Sequence, residues 1–120
     1  MEEQTQKKLE WKEPIEIPEG KHTGTITRVE YRDDPFEYTD VFIKLDDVDV
    51  ELKYGCPTFL SLNSMLGRLL IAVGEEYEKH KIVKPAEVLV GKKVEFMTIN
   101  KKDKDNREYA RIVEDSIKKI

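Results

Sequence analysis

The most basic part of the chain is the stretch INKKDKDNREYARI, residues 99–112. Its centre combines two aspartates, Asp103 and Asp105, with four cations: Lys101, Lys102, Lys104 and Arg107. Cations at this density can neutralise the phosphates of a nucleic acid and release its counterions. Runs of charge are also common on solvated surface turns. The residue types therefore leave two interpretations open: a solubilising hairpin, or a basic finger that binds a polyanion.

Aromatic side chains could supply a second kind of contact, because their rings stack on nucleic-acid bases. Phe36 and Tyr38 lie in or beside the predicted turn RDDPFEY. Phe42 lies with Lys44 on the side of its strand that faces away from the predicted core. The alternatives are that Phe36 and Tyr38 anchor their loop, and that Phe42 packs under the N-terminal segment, against Trp11, or in an oligomer interface.

The last predicted strand carries a further aromatic and a further cation. Tyr109 and Arg111 alternate with Ala110 and Ile112. If the latter pair faces the core, Tyr109 and Arg111 line the outside of the sheet beside the basic stretch.

Residues suited to catalysis or metal binding are few. Cys56 has no catalytic histidine motif near it, and His22 and His80 are far apart in sequence. Neither histidine has a recognisable ligand spacing, so we expect no catalysis, no metal and no cofactor.

An acidic cluster is expected around the turn after the second strand: Asp46, Asp47, Asp49 and Glu51. It lacks the glycine of a calcium-binding loop, and alternation separates its members, so a solvated hairpin is the better interpretation. Its charge would nevertheless repel phosphates.

The first three strands are predicted from β-branched composition and alternation. Residues 20–32 form the first, with Gly24 as a bulge that explains the three-residue spacing of Ile26 and Val29. Residues 38–45 and 48–54 form the next two, each with one apolar face, and a tight turn at Asp46–Asp47 joins them.

Helical spacing of apolar residues follows in TFLSLNSMLGRLLIAVG, residues 58–74. This pattern predicts an amphipathic helix with Thr58 or Ser61 as N-cap and Gly74 as its C-terminal stop. A short helical turn at PAEVL precedes two final strands that flank the basic stretch, the second of which could run into a terminal helix. The apolar residues predicted for the helix are Phe59, Leu62, Leu66, Leu69, Leu70 and Val73.

Size and composition predict one soluble domain. A chain of 120 residues with 38% apolar and 38% charged residues can bury one core. We expect an extended N-terminal arm over residues 1–18 and a single domain over 19–120. The absence of a long apolar run and the single cysteine predict an intracellular, cytoplasmic protein that does not enter membranes, and the high lysine and glutamate content is typical of proteins from hot environments.

The phrases IPEGKHTGTITRVE, SLNSMLGRLLIAVG and PAEVLVGKKVEFMTI, in that order, resemble the phage-type and archaeal single-stranded DNA-binding proteins built on one OB fold. The element order, with a helix between strands three and four, is that of the five-stranded OB barrel. The resemblance covers roughly residues 15–115 and implies a mainly β fold. It also implies non-sequence-specific binding of single-stranded DNA, in preference to RNA, during replication, repair or recombination.

OB folds bind strands across strands two and three, between the loop joining strands one and two and the loop joining four and five. On that pattern, the expected nucleic-acid-binding residues are Phe36, Tyr38, Phe42, Lys44, Lys101, Lys102, Lys104, Arg107, Tyr109 and Arg111.

An alternative function is a non-catalytic OB module that docks proteins, for example as an accessory subunit. The net charge of −4 argues against a generic polyanion binder, although cations are in excess over residues 92–120. The chain ends in SIKKI, whereas single-strand binders of this kind often end in an acidic tail that recruits partners. Partners other than the nucleic acid, including a homo-oligomer or replication and repair proteins, stay open.

Overall fold

A computed structural model of the chain describes residues 7–11 and 16–120. Most of the ordered structure is β-strand, with two short helices between the third and fourth strands. The elements are β1 (Gly20–Arg32), β2 (Tyr38–Leu45), β3 (Glu51–Pro57), α1 (Met65–Ala72), α2 (Pro85–Leu89), β4 (Lys93–Lys102), β5 (Glu108–Ile112) and β6 (Lys118–Lys119).

The strands form one antiparallel sheet in the order β3-β2-β1-β4-β5, with β6 on the side of β4. The long strand β1 joins the two halves of the sheet. Its residues Gly20–Thr25 pair with β4, and Gly24–Arg32 pair with β2. The expected mainly β class is confirmed. Among the described residues, β3 and β5 approach within 8 Å between Cα atoms but share no backbone ladder, so the sheet is not a closed barrel.

The β-bulge in β1 lies at Thr27, not at Gly24 as the sequence predicts. The register with β2 shifts between Ile26 and Arg28, which accounts for the spacing of Ile26 and Val29. Gly24 stays in the regular ladder, where a Cβ atom would lie 2.5 Å from the carbonyl oxygen of Lys44. The glycine is therefore needed for close strand approach, not for a bend.

The alternation predicted for β2 and β3 is confirmed, but the turn between these strands is longer than predicted. Val41, Ile43 and Leu45 are buried, as are Tyr54 and Cys56 on the neighbouring strand. β2 ends at Leu45 and β3 begins at Glu51, so five residues connect them in place of a tight two-residue turn. The connection lacks the glycine or asparagine that two-residue hairpins favour.

Helix α1 begins later than the sequence predicts. Its N-cap is Ser64, whose Oγ accepts a hydrogen bond from the backbone N–H of Gly67 at 2.9 Å. The same oxygen accepts from the N–H of Ser61 at 3.0 Å, so a serine turn replaces the first predicted helical turn. Phe59 and Leu62 consequently lie outside the helix and are exposed.

The C-terminal half of the predicted helix is correct. Leu66, Leu69, Leu70 and Val73 are buried against the sheet. Gly74 ends the helix at φ 106°, a conformation that glycine adopts without strain. The short helix α2 coincides with the predicted PAEVL turn.

The predicted C-terminal helix is wrong, because the chain turns after β5 and returns as β6. Ser116 Oγ donates a hydrogen bond to the carbonyl of Val113 at 2.6 Å, and Asp115 adopts a positive φ of 65°. Ile117 is buried as a result.

Of the predicted N-terminal arm, residues 1–6 and 12–15 lie outside the described residues. Trp11 is fully exposed and therefore does not cover Phe42, whereas Ile17 packs against the core. The carbonyl of Pro18 accepts hydrogen bonds from His22 Nε2 and Thr98 Oγ1, which fixes the chain as it enters β1. Among the described helices, none is long and apolar enough to cross a membrane.

Candidate nucleic-acid interface

The bulge at Thr27 brings three side chains into one row across the outer face of the sheet. Phe42 on β2 is the register partner of Arg28 on β1 and of Lys53 on β3. Without the bulge, strict alternation from the buried Ile26 would turn Arg28 toward the core. The sequence therefore places a cation on each side of the aromatic ring.

The ring of Phe42 is covered by a cation. The guanidinium carbon of Arg28 lies 3.9 Å from the ring centroid, within the range of a cation–π contact. The same guanidinium forms ion pairs with Glu30 at 3.0 Å and with Glu51 at 3.1 Å. Arg28 thus presents a flat, charged surface above a half-buried ring, and both planes are of the kind on which bases stack.

A second aromatic and arginine pair lies toward the end of β1. The guanidinium carbon of Arg32 lies 4.6 Å from the centroid of the Tyr38 ring. Its Nε donates a hydrogen bond to Asp40 Oδ2 at 2.7 Å, and this bond raises the pKa of Arg32. Asp40 is buried between Tyr38 and Phe42 along β2, and its Oδ1 has no hydrogen-bond partner among the described residues.

Lys44, two residues after Phe42 on β2, is less available to an anion. Lys44 Nζ donates to Asp49 Oδ1 at 2.8 Å. This hydrogen bond raises the pKa of Lys44 and lowers the pKa of Asp49. Lys44 stays a predicted nucleic-acid contact, and its positive charge is paired with Asp49.

Three of the four acidic residues of the β2–β3 region form bonds to the sheet; Asp47 forms none within the described part of the chain. Asp46 accepts from the hydroxyl of Thr23 at 2.8 Å, and Glu51 accepts from the hydroxyl of Thr27 at 2.6 Å. Glu51 and Asp49 also pair with cations, Arg28 and Lys44. Part of the negative charge of the acidic cluster is therefore neutralised on the outer face. No cluster of ligands that could hold a metal occurs among the described residues.

The hairpin between β1 and β2 carries exposed aromatic rings. Phe36 is 71% exposed at the hairpin, and Tyr31 is exposed beside it. Tyr31 donates its hydroxyl to Glu37 Oε1 at 2.9 Å, and this hydrogen bond raises the pKa of Tyr31. The ring of Phe36 is therefore available for contact at the hairpin between β1 and β2.

The β4–β5 hairpin has the basic rim that the sequence predicts, and Asp103 shapes it. Asp103 Oδ1 accepts hydrogen bonds from the backbone N–H groups of Asp105 and Arg107 at 2.9 and 3.0 Å. Asn106 completes the turn with φ 63°. The four cations of the hairpin are exposed and form no salt bridge within the described part of the chain: Lys101, Lys102, Lys104 and Arg107.

Tyr109 and Arg111 point away from the core, as predicted from alternation. Ile112 is buried and Ala110 is half-buried, whereas Tyr109 and Arg111 are exposed. In the ladder Tyr109 is opposite Lys101, so an aromatic ring and a cation lie side by side at the base of the hairpin.

The two groups of side chains lie on the outer side of one sheet but at opposite ends of β1. The basic hairpin begins where β4 passes Gly20, which pairs with Thr98, whereas Phe42 pairs with Arg28. The eight residue steps from Gly20 to Arg28 span about 26 Å in an extended strand. A ligand that contacts both groups must therefore be several nucleotides long.

Two cations of the outer face were missed from sequence, Arg28 and Arg32. Alternation predicts the outward position of Lys53, but Lys53 was not among the expected nucleic-acid-binding residues. The available signal was the three-residue spacing of Ile26 and Val29, which requires a bulge between them. Placing that bulge directly before Arg28 would have turned Arg28, Glu30 and Arg32 outward.

Of the remaining chemical candidates, Cys56 and His22 are buried and His80 is exposed. Cys56 is buried, and burial raises the pKa of its thiol to about 12, which opposes the reactive thiolate form. His22 lies buried with its ring against Phe96, at 6.1 Å between centroids.

Comparisons with protein-family models and with curated proteins find no match for this chain.

Proposed function

We propose that this protein binds single-stranded DNA without sequence specificity, and that it does so without catalysis. The observation that carries the proposal is the Arg28–Phe42–Lys53 row, in which a ring and two cations lie together on an outer sheet face. Stacking contributes about 1–3 kcal/mol per base and cations follow the phosphates, so this combination suits a single strand.

We infer further that the strands belong to an OB fold, a partly open barrel whose open side here lies between β3 and β5. The strand order β3-β2-β1-β4-β5 and the long, shared β1 support this inference. So does the contact between the hydroxyl of Tyr54 on β3 and the backbone N–H of Asp115, which follows β5, at 3.3 Å. In an OB fold the face of strands two and three is the binding face, and here it carries Phe42.

A bound strand would run from the β1–β2 hairpin across the row to the basic hairpin. Phe36, Tyr38 and Phe42 would stack on bases, and Lys53 would approach phosphates directly. Arg28, Arg32 and Lys44 would approach phosphates beside the carboxylates with which they are paired. At the other end, Tyr109 would stack and the exposed lysines would bind the backbone. Holding exposed strands in this way is the activity needed in replication, repair or recombination.

Competition between single-stranded and double-stranded DNA tests the proposal. A labelled oligo-dT bound to the protein should be displaced by unlabelled oligo-dT at far lower concentration than by a duplex of equal length, because paired bases cannot stack on side chains. A parallel competition with oligo-U tests the preference for DNA over RNA. Equal displacement by duplex and single strand would contradict a stacking interface.

A further inference from the structure

The face that carries the helices has an apolar groove that the nucleic-acid interface does not use. A cleft of about 630 Å³ is lined by polar and charged side chains and by six apolar or aromatic residues that define this groove: Leu60, Leu62, Leu70, Ile71, Tyr77 and Val83. A second cleft of about 450 Å³ shares Leu60 and Val83 with the first. Exposed apolar surface that is continuous in this way marks a site of protein contact.

The rim of the groove is acidic. Glu75 is paired with Lys81 at 3.0 Å. Glu76 and Glu78 also line the groove and form no salt bridge among the described residues, with Lys79 as the opposing charge. The groove thus favours an apolar segment that carries positive charge.

Residues 7–11 have that chemistry, within an N-terminal stretch of 20 residues that carries three cations and six anions. Residues 7–11 read KKLEW, with two lysines and one glutamate. Leu9 is 84% exposed and Trp11 is fully exposed, although large apolar side chains are costly to leave in water. In an extended segment, side chains two residues apart point to the same side, so Leu9 and Trp11 form one apolar edge.

We propose that Leu9 and Trp11 of one copy dock into the groove of a second copy. The lysines at 7 and 8 then approach Glu76 and Glu78, while the two apolar side chains cover the groove. Reciprocal docking uses the same two surfaces on both copies, which is the arrangement of a closed two-fold dimer. The outer face of the sheet stays open, so the dimer can carry two nucleic-acid interfaces.

Trp11 is the only tryptophan and reports directly on docking. In the absence of nucleic acid, the emission of the wild-type protein should shift to the blue as its concentration rises, while sedimentation velocity shows a monomer becoming a dimer. The variant Trp11→Ser should stay monomeric over the same range. Wild-type emission that does not depend on concentration would overturn the proposal, whether the indole emits as exposed or as buried.

A mixing experiment separates docking between copies from docking within one. The groove variant Leu62→Glu, Ile71→Glu keeps Trp11 but should not dimerise, and both changes are at exposed positions. Adding excess Trp11→Ser, which has an intact groove and no tryptophan, should restore the blue shift. The proposal fails if the added protein leaves the emission unchanged.

The matched control is Val90→Glu, Ile120→Glu, which places the same charges at exposed apolar positions outside the groove. This control should dimerise like the wild type, and loss of its dimer would contradict a specific groove. If the groove variant loses its folded circular dichroism spectrum, the concentration dependence of the wild type and of Trp11→Ser still decides the matter.

Discussion

Phe42 is the single residue on which the proposed interface depends most. Its ring lies on the outer face between Arg28 and Lys53, and its exposed side meets a guanidinium and not the core. A base can stack on the guanidinium or replace it over the ring. Either arrangement needs the ring as its support.

Replacing Phe42 by alanine should weaken binding to oligo-dT by about 5- to 150-fold, because about 1–3 kcal/mol of stacking is lost. The dependence of affinity on salt should stay close to that of the wild type, since no cation is removed. Phe59→Ala is the control, because Phe59 is an exposed phenylalanine beside the helices, whereas Phe42 is half-buried on the outer face of the sheet. Equal losses in the two variants would move the site away from the sheet.

Arg32 should matter for folding as well as for binding. Arg32→Ala leaves the buried carboxylate of Asp40 without its charged partner, so we expect a loss of about 1–3 kcal/mol in the free energy of unfolding. Arg28→Ala breaks only partly exposed pairs and should cost less than about 1 kcal/mol. Urea denaturation measures the free energy of unfolding of both variants. A larger loss for Arg28→Ala than for Arg32→Ala would contradict the stabilising role of the Arg32–Asp40 pair.

For single residues, the sequence correctly predicted which side chains face outward wherever alternation along the strand is strict. Phe42, Lys44, Tyr109 and Arg111 follow from a two-residue period. Arg28 and Arg32 do not, because a bulge reverses the alternation and its position depends on pairing with β2.

The β4–β5 hairpin supplies a cluster of positive charge that is unpaired among the described residues. Asp103 uses both its side chain and its backbone to close the turn, so the hairpin is a defined structure and not a loose basic loop. Its cations project from this turn without ion-pair partners among the described residues. Exposed cations without ion-pair partners are what the proposed phosphate contact requires.

Replacing Lys101, Lys102 and Lys104 together by alanine should reduce the slope of log affinity against log salt by about 2, given about 0.7 per phosphate contact on a single strand. The control replaces Lys79, Lys81 and Lys84, which removes the same charge from the segment before α2. Titrations at several salt concentrations measure both slopes. If the control changes the slope as much as the triple variant does, general charge and not this hairpin governs binding.

The sequence predicted which strands and helices form better than it predicted where they begin and end. Five strands, the main helix and the PAEVL turn follow from periodicity, but the start of α1 depends on a serine turn around Ser61 and Ser64 that competes with the first helical turn. The return of the chain as β6 depends on the bonds of Ser116, which no periodic pattern records.

The buried ionisable groups of β3 predict that the free energy of unfolding of the whole protein falls at alkaline pH. Burial raises the pKa of Cys56 from 9.0 to about 12 and that of Tyr54 from 10.0 to about 12. Above pH 9 the unfolded chain therefore releases protons that the folded chain retains. The stabilisation is complete below the unfolded pKa values and is lost as pH rises toward 12.

Chemical denaturation at a series of pH values from 8 to 10 tests this directly. Cys56→Ala should lower the free energy of unfolding at pH 8 by removing buried sulfur, yet its stability should fall less steeply with pH than that of the wild type. The difference in slope should be at most about 1.4 kcal/mol per pH unit, the value for one proton. Parallel pH curves would contradict a thiol that is buried and neutral.

The strand order of the sheet is a property of the whole chain, and the sequence predicted it only through the order of its elements. Which strands pair is set by long-range contacts, such as the use of β1 by both β2 and β4. The division of the outer face into two groups at opposite ends of β1 also arises only in the folded molecule.

The measurement that tests the central proposal most directly is a titration of labelled oligo-dT with the full chain at several salt concentrations. The hairpin cations with Arg28, Arg32 and Lys53 should give binding at low salt whose log affinity falls with log salt at a slope between about −3 and −5. A measurable affinity should persist at higher salt because stacking is not screened. No detectable binding at the lowest salt concentration would contradict the account.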